Sequence, residues 1–267
     1  MNGLVIMTVP KSGTMFLSHY LRELTGYNYR FGYAALGNKP LPRQIANLYD
    51  TPKDKIRARI GRKITVVGGP MRLDPEPHTQ MPRSQHMSPH KWEIIHKDKW
   101  IVVDHAVSIN GIFGNPSHAS IVHPSVVVNK ATKEDFGVLF LYRDLRDTLN
   151  SLAHFLRQRV KKNGLQKTIQ FTIDNHAPIF AELIRMWKSD FRDGLTITYK
   201  SLHENTFQTL SKICHTYGLP CRSKIISSMD EYKSWTYRKG GSGDWQNNFT
   251  KVQGEYILNE YPDLCSD

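Results

Sequence analysis

The stretch from Gly3 to Leu24, GLVIMTVPKSGTMFLSHYLREL, constrains the fold more than any other part of the chain. Gly3 to Val9 is nearly all apolar, the pattern of a central parallel strand buried on both faces. Met15, Phe16, Leu17, Tyr20, Leu21 and Leu24 then recur at helical spacing. Only the turn Pro10-Lys11-Ser12-Gly13-Thr14 lies between them. A strand that feeds a helix through so short a turn begins a parallel α/β unit, and ligands of such units bind beyond the carboxyl ends of the strands.

The same turn carries chemistry. A helix start offers unpaired N–H groups and a partial positive charge, which suit a phosphate. Gly13 admits a close backbone approach, Ser12 and Thr14 carry hydroxyls, and Lys11 can set an ammonium against a bridging oxygen where negative charge grows. The competing reading is a plain strand–helix turn with Thr14 as its cap. The loop lacks the Gly-Lys-Ser/Thr order that places Mg²⁺ in the common phosphate loop. It therefore points to a phosphate held without that metal scheme.

Further strands are expected at Lys63–Gly69, Lys99–His105, Gly137–Arg143 and Gly194–Tyr199, with amphipathic helices between them. KWEIIHK reads as a short helix, TFQTLSKICHTYGL as a helix closed by Gly218, and the tail from Ser227 as loop. The fold class is α/β, one domain over residues 1–267 with a central parallel sheet flanked by helices. Residues 70–98, rich in Pro, His and Met, and 106–124 read as loop inserts.

The chain has 36 Lys and Arg against 24 Asp and Glu, a net charge of +12, which favours anionic partners. The three cysteines, Cys214, Cys221 and Cys265, form no Cys-x-x-Cys pair, and a reducing cytoplasmic setting fits them. MNGLVIM has no basic leader, and nothing approaches the roughly 18 apolar residues of a membrane span.

Two more cationic segments complete the pattern. Arg143 emerges at a strand's carboxyl end and Ser151 follows eight residues later, an arginine fork and a hydroxyl able to converge on one anion. A structural ion pair of Arg143 with Asp144 or Asp147 competes with that reading. YRKGGSGDWQNNFT places Arg238 and Lys239 beside Gly240, Gly241 and Gly243, a cationic flap able to close on a phosphate.

With these three segments the chain resembles the sulfotransferases that use 3′-phosphoadenylyl sulfate (PAPS). That family shows Pro-Lys-x-Gly-Thr, an Arg…Ser pair eight apart, and Arg-Lys-Gly-x-x-Gly-Asp-Trp in this order. The resemblance implies a P-loop nucleotide-kinase-like fold and sulfuryl transfer from PAPS to a hydroxyl or amine, leaving adenosine 3′,5′-bisphosphate (PAP). It assigns Lys11, Ser12, Gly13, Thr14 and Met15 to the 5′-phosphosulfate and Arg143 with Ser151 to the 3′-phosphate. Arg238, Lys239 and Gly240 become the closing flap, Tyr199 an adenine contact, and Ser227 a hydroxyl near the nucleotide. It also implies a small-molecule, glycan or lipid acceptor, with no metal and no nucleic-acid partner.

The family commonly uses a histidine as general base. His105 leads because it ends the strand KWIVVDH at the sheet edge that carries Lys11 and Arg143. His118, His123 and an acidic group stay open. Three departures stand out: Val103 where the family has lysine, Gln246 after Gly-Asp-Trp, and Lys251 interrupting the family's dimer segment. A nucleotide kinase would want a Mg²⁺ aspartate and the Gly-Lys-Ser/Thr order, and neither is found. A nucleic-acid binder would interleave basic and aromatic residues on one element, whereas here the cations fall in three separated loops.

Overall fold

The computed structural model describes residues 1–31, 57–60, 64–67, 96–107, 119–159, 164–192, 194–221 and 241–265. Its centre is β1 (Gly3–Thr8), every residue of which is buried. The apolar run has no polar face because both sides of β1 are covered and both edges are paired. On one edge lies β5 (His96–His105), on the other β7 (Phe136–Tyr142), each parallel to it. β2 (Tyr27–Phe31) joins β5 and β8 (Leu195–Thr198) joins β7, giving the all-parallel order β2-β5-β1-β7-β8.

Side chains alternate across this sheet. Leu4 and Ile6 pack toward α1 (Thr14–Thr25), where Phe16, Leu17, Tyr20 and Leu21 meet them. Val5 and Met7 face the opposite layer. That layer holds α2 (Pro124–Lys133), α3 (Leu145–Arg159) and the long α4 (Leu165–Asp190). Trp187 of α4 is fully buried there; it stacks on Phe140 at 4.8 Å and donates its Nε1–H to the Val122 carbonyl at 2.9 Å. α5 (Tyr199–Glu204) and α6 (Thr206–Thr216) complete the α1 side.

Register fixes where the strands stop. Thr8 pairs with His105 on one side and Leu141 on the other, and Tyr142 pairs with Thr198. β1, β5, β7 and β8 therefore end at one edge, and the residues that follow, Pro10 to Thr14, Ala106, Arg143 and Tyr199, emerge together.

Four strand expectations are met, yet only three of them belong to the parallel sheet beside β1. The segment expected at Lys63–Gly69 is β4 (Ile64–Val67), which sits in a second sheet of order β3-β4-β6. Its partners are β3 (Arg57–Ile60), antiparallel, and β6 (Ser120–Val122), parallel. The fifth place in the main sheet goes to β2, whose YNYRF alternates aromatic and polar residues over only five positions. KWEIIHK is not helical where it is described: His96 and Lys97 already belong to β5, and His96 pairs with Tyr27. The 106–124 stretch contains β6 and the first residue of α2, so it is not wholly irregular. Residues 70–95 lie outside the described residues.

α6 ends as expected, with Gly218 at φ 57° and the Leu219 N–H returning to the Cys214 carbonyl at 2.8 Å. The tail, expected as loop, instead forms α7 (Lys251–Glu260). Thr250 and Gln253 make a reciprocal capping box at its start. Among the described residues no helix is long and apolar enough to cross a membrane.

Candidate functional site

The loop between β1 and α1 is built on two left-handed residues. Lys11 holds φ 71° and Gly13 holds φ 92°. A left-handed lysine is unfavourable and is kept only where the surroundings over-determine it. Here the Ser12 hydroxyl donates to the Val9 carbonyl at 2.6 Å and lies 3.3 Å from that of Leu141. The Ser12 N–H also donates to Val9 at 3.2 Å. Ser12 is therefore turned inward, tying the loop to β1 and β7. Gly13 is the N-cap of α1 and offers no side-chain cap, and the first turn carries no acidic residue. The first helical bond runs from the Leu17 N–H to the Gly13 carbonyl. The N–H groups before Leu17 thus open at the sheet edge as a positive helix end.

Gly13 has a second reason to be glycine. A Cβ there would meet the Tyr199 ring at 2.2 Å. Tyr199 is buried as the first residue of α5, not the last of β8, and Thr198 caps that helix. The same ring also faces the guanidinium of Arg143, 4.5 Å from its centroid. One tyrosine thus links the first loop to the arginine that follows β7.

Arg143 donates from Nη2 to the Gly241 carbonyl at 2.6 Å and lies 3.5 Å from Asp147. Among the described residues its buried Nε has no hydrogen-bond partner. Asp144 caps α3, accepting the Arg146 N–H at 2.8 Å, and takes the Arg146 guanidinium on both oxygens. Of the two aspartates in the structural alternative, Asp147 pairs with Arg143 and Asp144 with Arg146. The segment 241–245 docks against α3 through Asp147, Asn150 and Arg146. Asp147 accepts from the N–H groups of Gly243 (2.8 Å) and Trp245 (3.2 Å). Asn150 donates to Asp244 at 3.1 Å. Arg146 stacks over Trp245 at 4.2 Å. Ser151 lies half-buried on α3, two turns beyond Arg143.

His105 ends β5 beside Thr8, whose hydroxyl lies 2.8 Å from its Nδ1. Thr14 donates to that same hydroxyl at 3.0 Å, so the strand end, the loop and the imidazole form one chain of polar groups. Burial, together with the nearby Lys11 ammonium, pushes the His105 pKa down to about 3. The ring is therefore neutral, the state a proton acceptor needs. The Lys11 ammonium also sits 4.7 Å over the Phe155 ring of α3. Next to His105, the buried Asp104 accepts the His105 N–H at 2.8 Å, and burial pushes its carboxyl well above the usual range.

His123 is engaged by other groups. It caps α2 through Ser125 and pairs with Asp190 at 3.0 Å. The Val122 N–H before it donates to the Ala106 carbonyl at 2.8 Å, so it follows a residue tied to the end of β5. His118, Ser227, Arg238, Lys239 and Gly240 lie outside the described residues. Asp147, Asn150 and Arg146 were not expected as site residues. Their signal in the sequence is the spacing Asp144-x-x-Asp147, which reads locally as a helix cap.

Comparison with known proteins agrees with this geometry. A family model described as the sulfotransferase domain matches residues 2–263. Curated relatives include a flavonol 3-sulfotransferase of Flaveria bidentis, 22% identical over 51% of this chain and 56% of that protein. A 3-alpha-hydroxysteroid sulfotransferase of Cavia porcellus is 25% identical over 44% of this chain and 52% of its own. The chain thus spans about half the length of these relatives. Among solved structures, mouse sulfotransferase SULT7A1 complexed with PAP superposes with a TM-score of 0.55. It is 12% identical, and the match covers 98% of this chain and 84% of that one. Retinol dehydratase in complex with retinol and PAP gives 0.51 at 12% identity, over 100% and 82% of the two chains. At such identities the structures speak to the fold.

Proposed function

Because this chain belongs to the sulfotransferase family, we propose that it moves the sulfuryl group of PAPS to a hydroxyl or amine acceptor and releases PAP. The observation that carries the reading is the convergence of three distant segments through Tyr199 and Arg143. Gly13 touches the ring, Arg143 stacks on it, and Arg143 reaches Gly241. The relatives named sulfotransferases and the PAP-complexed neighbour support it.

PAPS supplies an activated S–O bond. The 5′-phosphosulfate lies at the start of α1, against the backbone of Lys11 to Met15. The 3′-phosphate takes the Arg143 guanidinium, with Ser151 beside it, and the nucleoside lies near Tyr199. Arg238, Lys239 and Gly240, which immediately precede Gly241 in the sequence, supply cationic and backbone groups to the phosphates. The acceptor oxygen or nitrogen attacks sulfur in line as the bond to the 5′-phosphate breaks. Lys11 meets the charge that develops on the leaving phosphate. His105 takes the acceptor's proton, with His118 as the alternative base. Burial first, and Lys11 second, depress the imidazole's basicity; a bound phosphosulfate anion offsets the Lys11 contribution.

No residue of the chain is assigned to a metal in this scheme. The acceptor is a small molecule, glycan or lipid, and the cysteine pattern favours a cytoplasmic setting. The test is transfer of labelled sulfate from PAPS, in EDTA, to a panel of phenols, sterols, sugars and amines. Transfer to at least one class is expected, with Lys11→Ala about 100- to 1000-fold slower. An unlabelled panel, or a Lys11→Ala variant as fast as the parent, overturns the reading.

A further inference from the structure

Asp147 occupies the third position of α3, counting from its Asp144 cap. A carboxylate there ordinarily folds back to the cap residue's own N–H. This one points across to another part of the chain. One oxygen accepts the Gly243 N–H at 2.8 Å and lies 3.5 Å from Arg143 Nη2. The other accepts the Trp245 N–H at 3.2 Å. The side chain is 1% exposed, so these three partners replace solvent. Gly243 holds φ 85°, a left-handed turn that brings two N–H groups of one short segment onto a single carboxylate. Arg143 closes the ring by donating to Gly241 at 2.6 Å. Asp147, Arg143 and residues 241–245 form one closed circuit, with the Tyr199 ring under the guanidinium.

We infer that Asp147 is a positioning residue for the 3′-phosphate of the nucleotide: it locks the Arg143 guanidinium and the 241–245 backbone into one unit, so that neither has to be ordered when the donor binds. It touches neither the donor nor the reacting atoms. This rests on the sulfotransferase reading and goes beyond it. Among the described residues the buried Arg143 Nε has no hydrogen-bond partner, so the guanidinium retains a donor while Asp147 and Gly241 hold Nη2. Without the carboxylate, the arginine swings among rotamers and two half-buried N–H groups lose a charged acceptor. Both losses bear on a ligand that uses Arg143 and spare one that does not.

The test is calorimetric titration of Asp147→Asn with PAP and with adenosine 5′-phosphate, which lacks the 3′-phosphate. The expected result is a PAP dissociation constant raised roughly 10- to 100-fold, with 5′-phosphate binding changed less than about threefold. Hydrogen exchange at residues 241–245 should rise in the same variant while residues 11–15 keep their protection. A merely structural role would weaken both ligands alike, and that result overturns the proposal, as does PAP binding that is unchanged or tighter. If Asp147→Asn does not fold, Asp147→Glu, which keeps the charge but displaces it by one methylene, carries the same comparison. Titration of the parent protein decides the sulfotransferase reading separately. A parent that ignores PAP refutes that reading, whereas a normal parent with an unaltered variant ratio refutes only the role of Asp147.

Discussion

Gly13→Ala probes the packing at the centre of the site. The new methyl would sit 2.2 Å from one Tyr199 ring carbon and 2.5 Å from the next. The backbone at φ 92° is also unsuited to an L side chain. The conformation costs about 1–2 kcal/mol, and forcing a buried ring aside costs about 1–3 kcal/mol more. The total of about 2–5 kcal/mol corresponds to a melting temperature lower by about 4–10 °C for a chain of this size. The displaced ring also removes the face on which Arg143 stacks, so PAP affinity should fall along with stability. Differential scanning calorimetry and a PAP titration on the same sample read both effects. The double variant Gly13→Ala/Tyr199→Ala should cost less than the sum of the single changes, because the clash is gone. A Gly13→Ala protein that melts within about 1 °C of the parent and binds PAP equally well would refute the contact and the argument built on it.

Other expectations are simpler to state. Arg143→Ala should weaken PAP far more than adenosine 5′-phosphate in parallel titrations, and equal losses would remove it from the 3′-phosphate. His105→Gln should lower kcat by about 100-fold or more with a smaller effect on the KM for PAPS, measured by steady-state kinetics. The His105 pKa, about 3 in the folded chain against 6.5 unfolded, means the unfolded state binds the proton first. Its contribution to stability is complete above about pH 6.5 and is lost as pH falls toward 3, and His105→Gln should flatten that part of a melting-versus-pH series. Thr250→Ala removes one half of the α7 capping box and should cost about 1 kcal/mol in denaturant unfolding, with little effect on turnover.

The parts of this molecule that the sequence makes legible share one physical origin. β1 is buried on both faces and therefore had to be written in apolar residues without a break. Its neighbours β5 and β7 carry the same signature. Once those strands are placed in parallel, Lys11, His105 and Arg143 fall at one edge from connectivity alone. Elements with little burial escaped notice. β2 is a five-residue strand on the sheet's edge, where its aromatic–polar alternation is too short to mark it, and α7 exposes Val252, Tyr256 and Leu258 to solvent and so shows no strong apolar period. A capping box at Thr250 and Gln253 was the available signal for α7.

Long-range contacts were not legible at all. Nothing local in Tyr199 announces that its ring covers Gly13. Asp147 looks like part of a helix cap, and its use by Gly243, 96 residues away, appears only in three dimensions. Ser12 shows the opposite case: its hydroxyl looks ready for an anion, while the fold engages it with two carbonyls of the loop's own walls.

The central claim is that one doubly phosphorylated adenosine is gripped by the first loop, by Arg143 and by the 241–245 region together, without a metal. Isothermal titration of PAP into the parent protein, in EDTA, tests it most directly. The account predicts a saturable one-site isotherm that weakens when the 3′-phosphate is deleted from the ligand. A flat titration accompanied by an unmoved melting curve, or binding that appears only when Mg²⁺ is added, would contradict it.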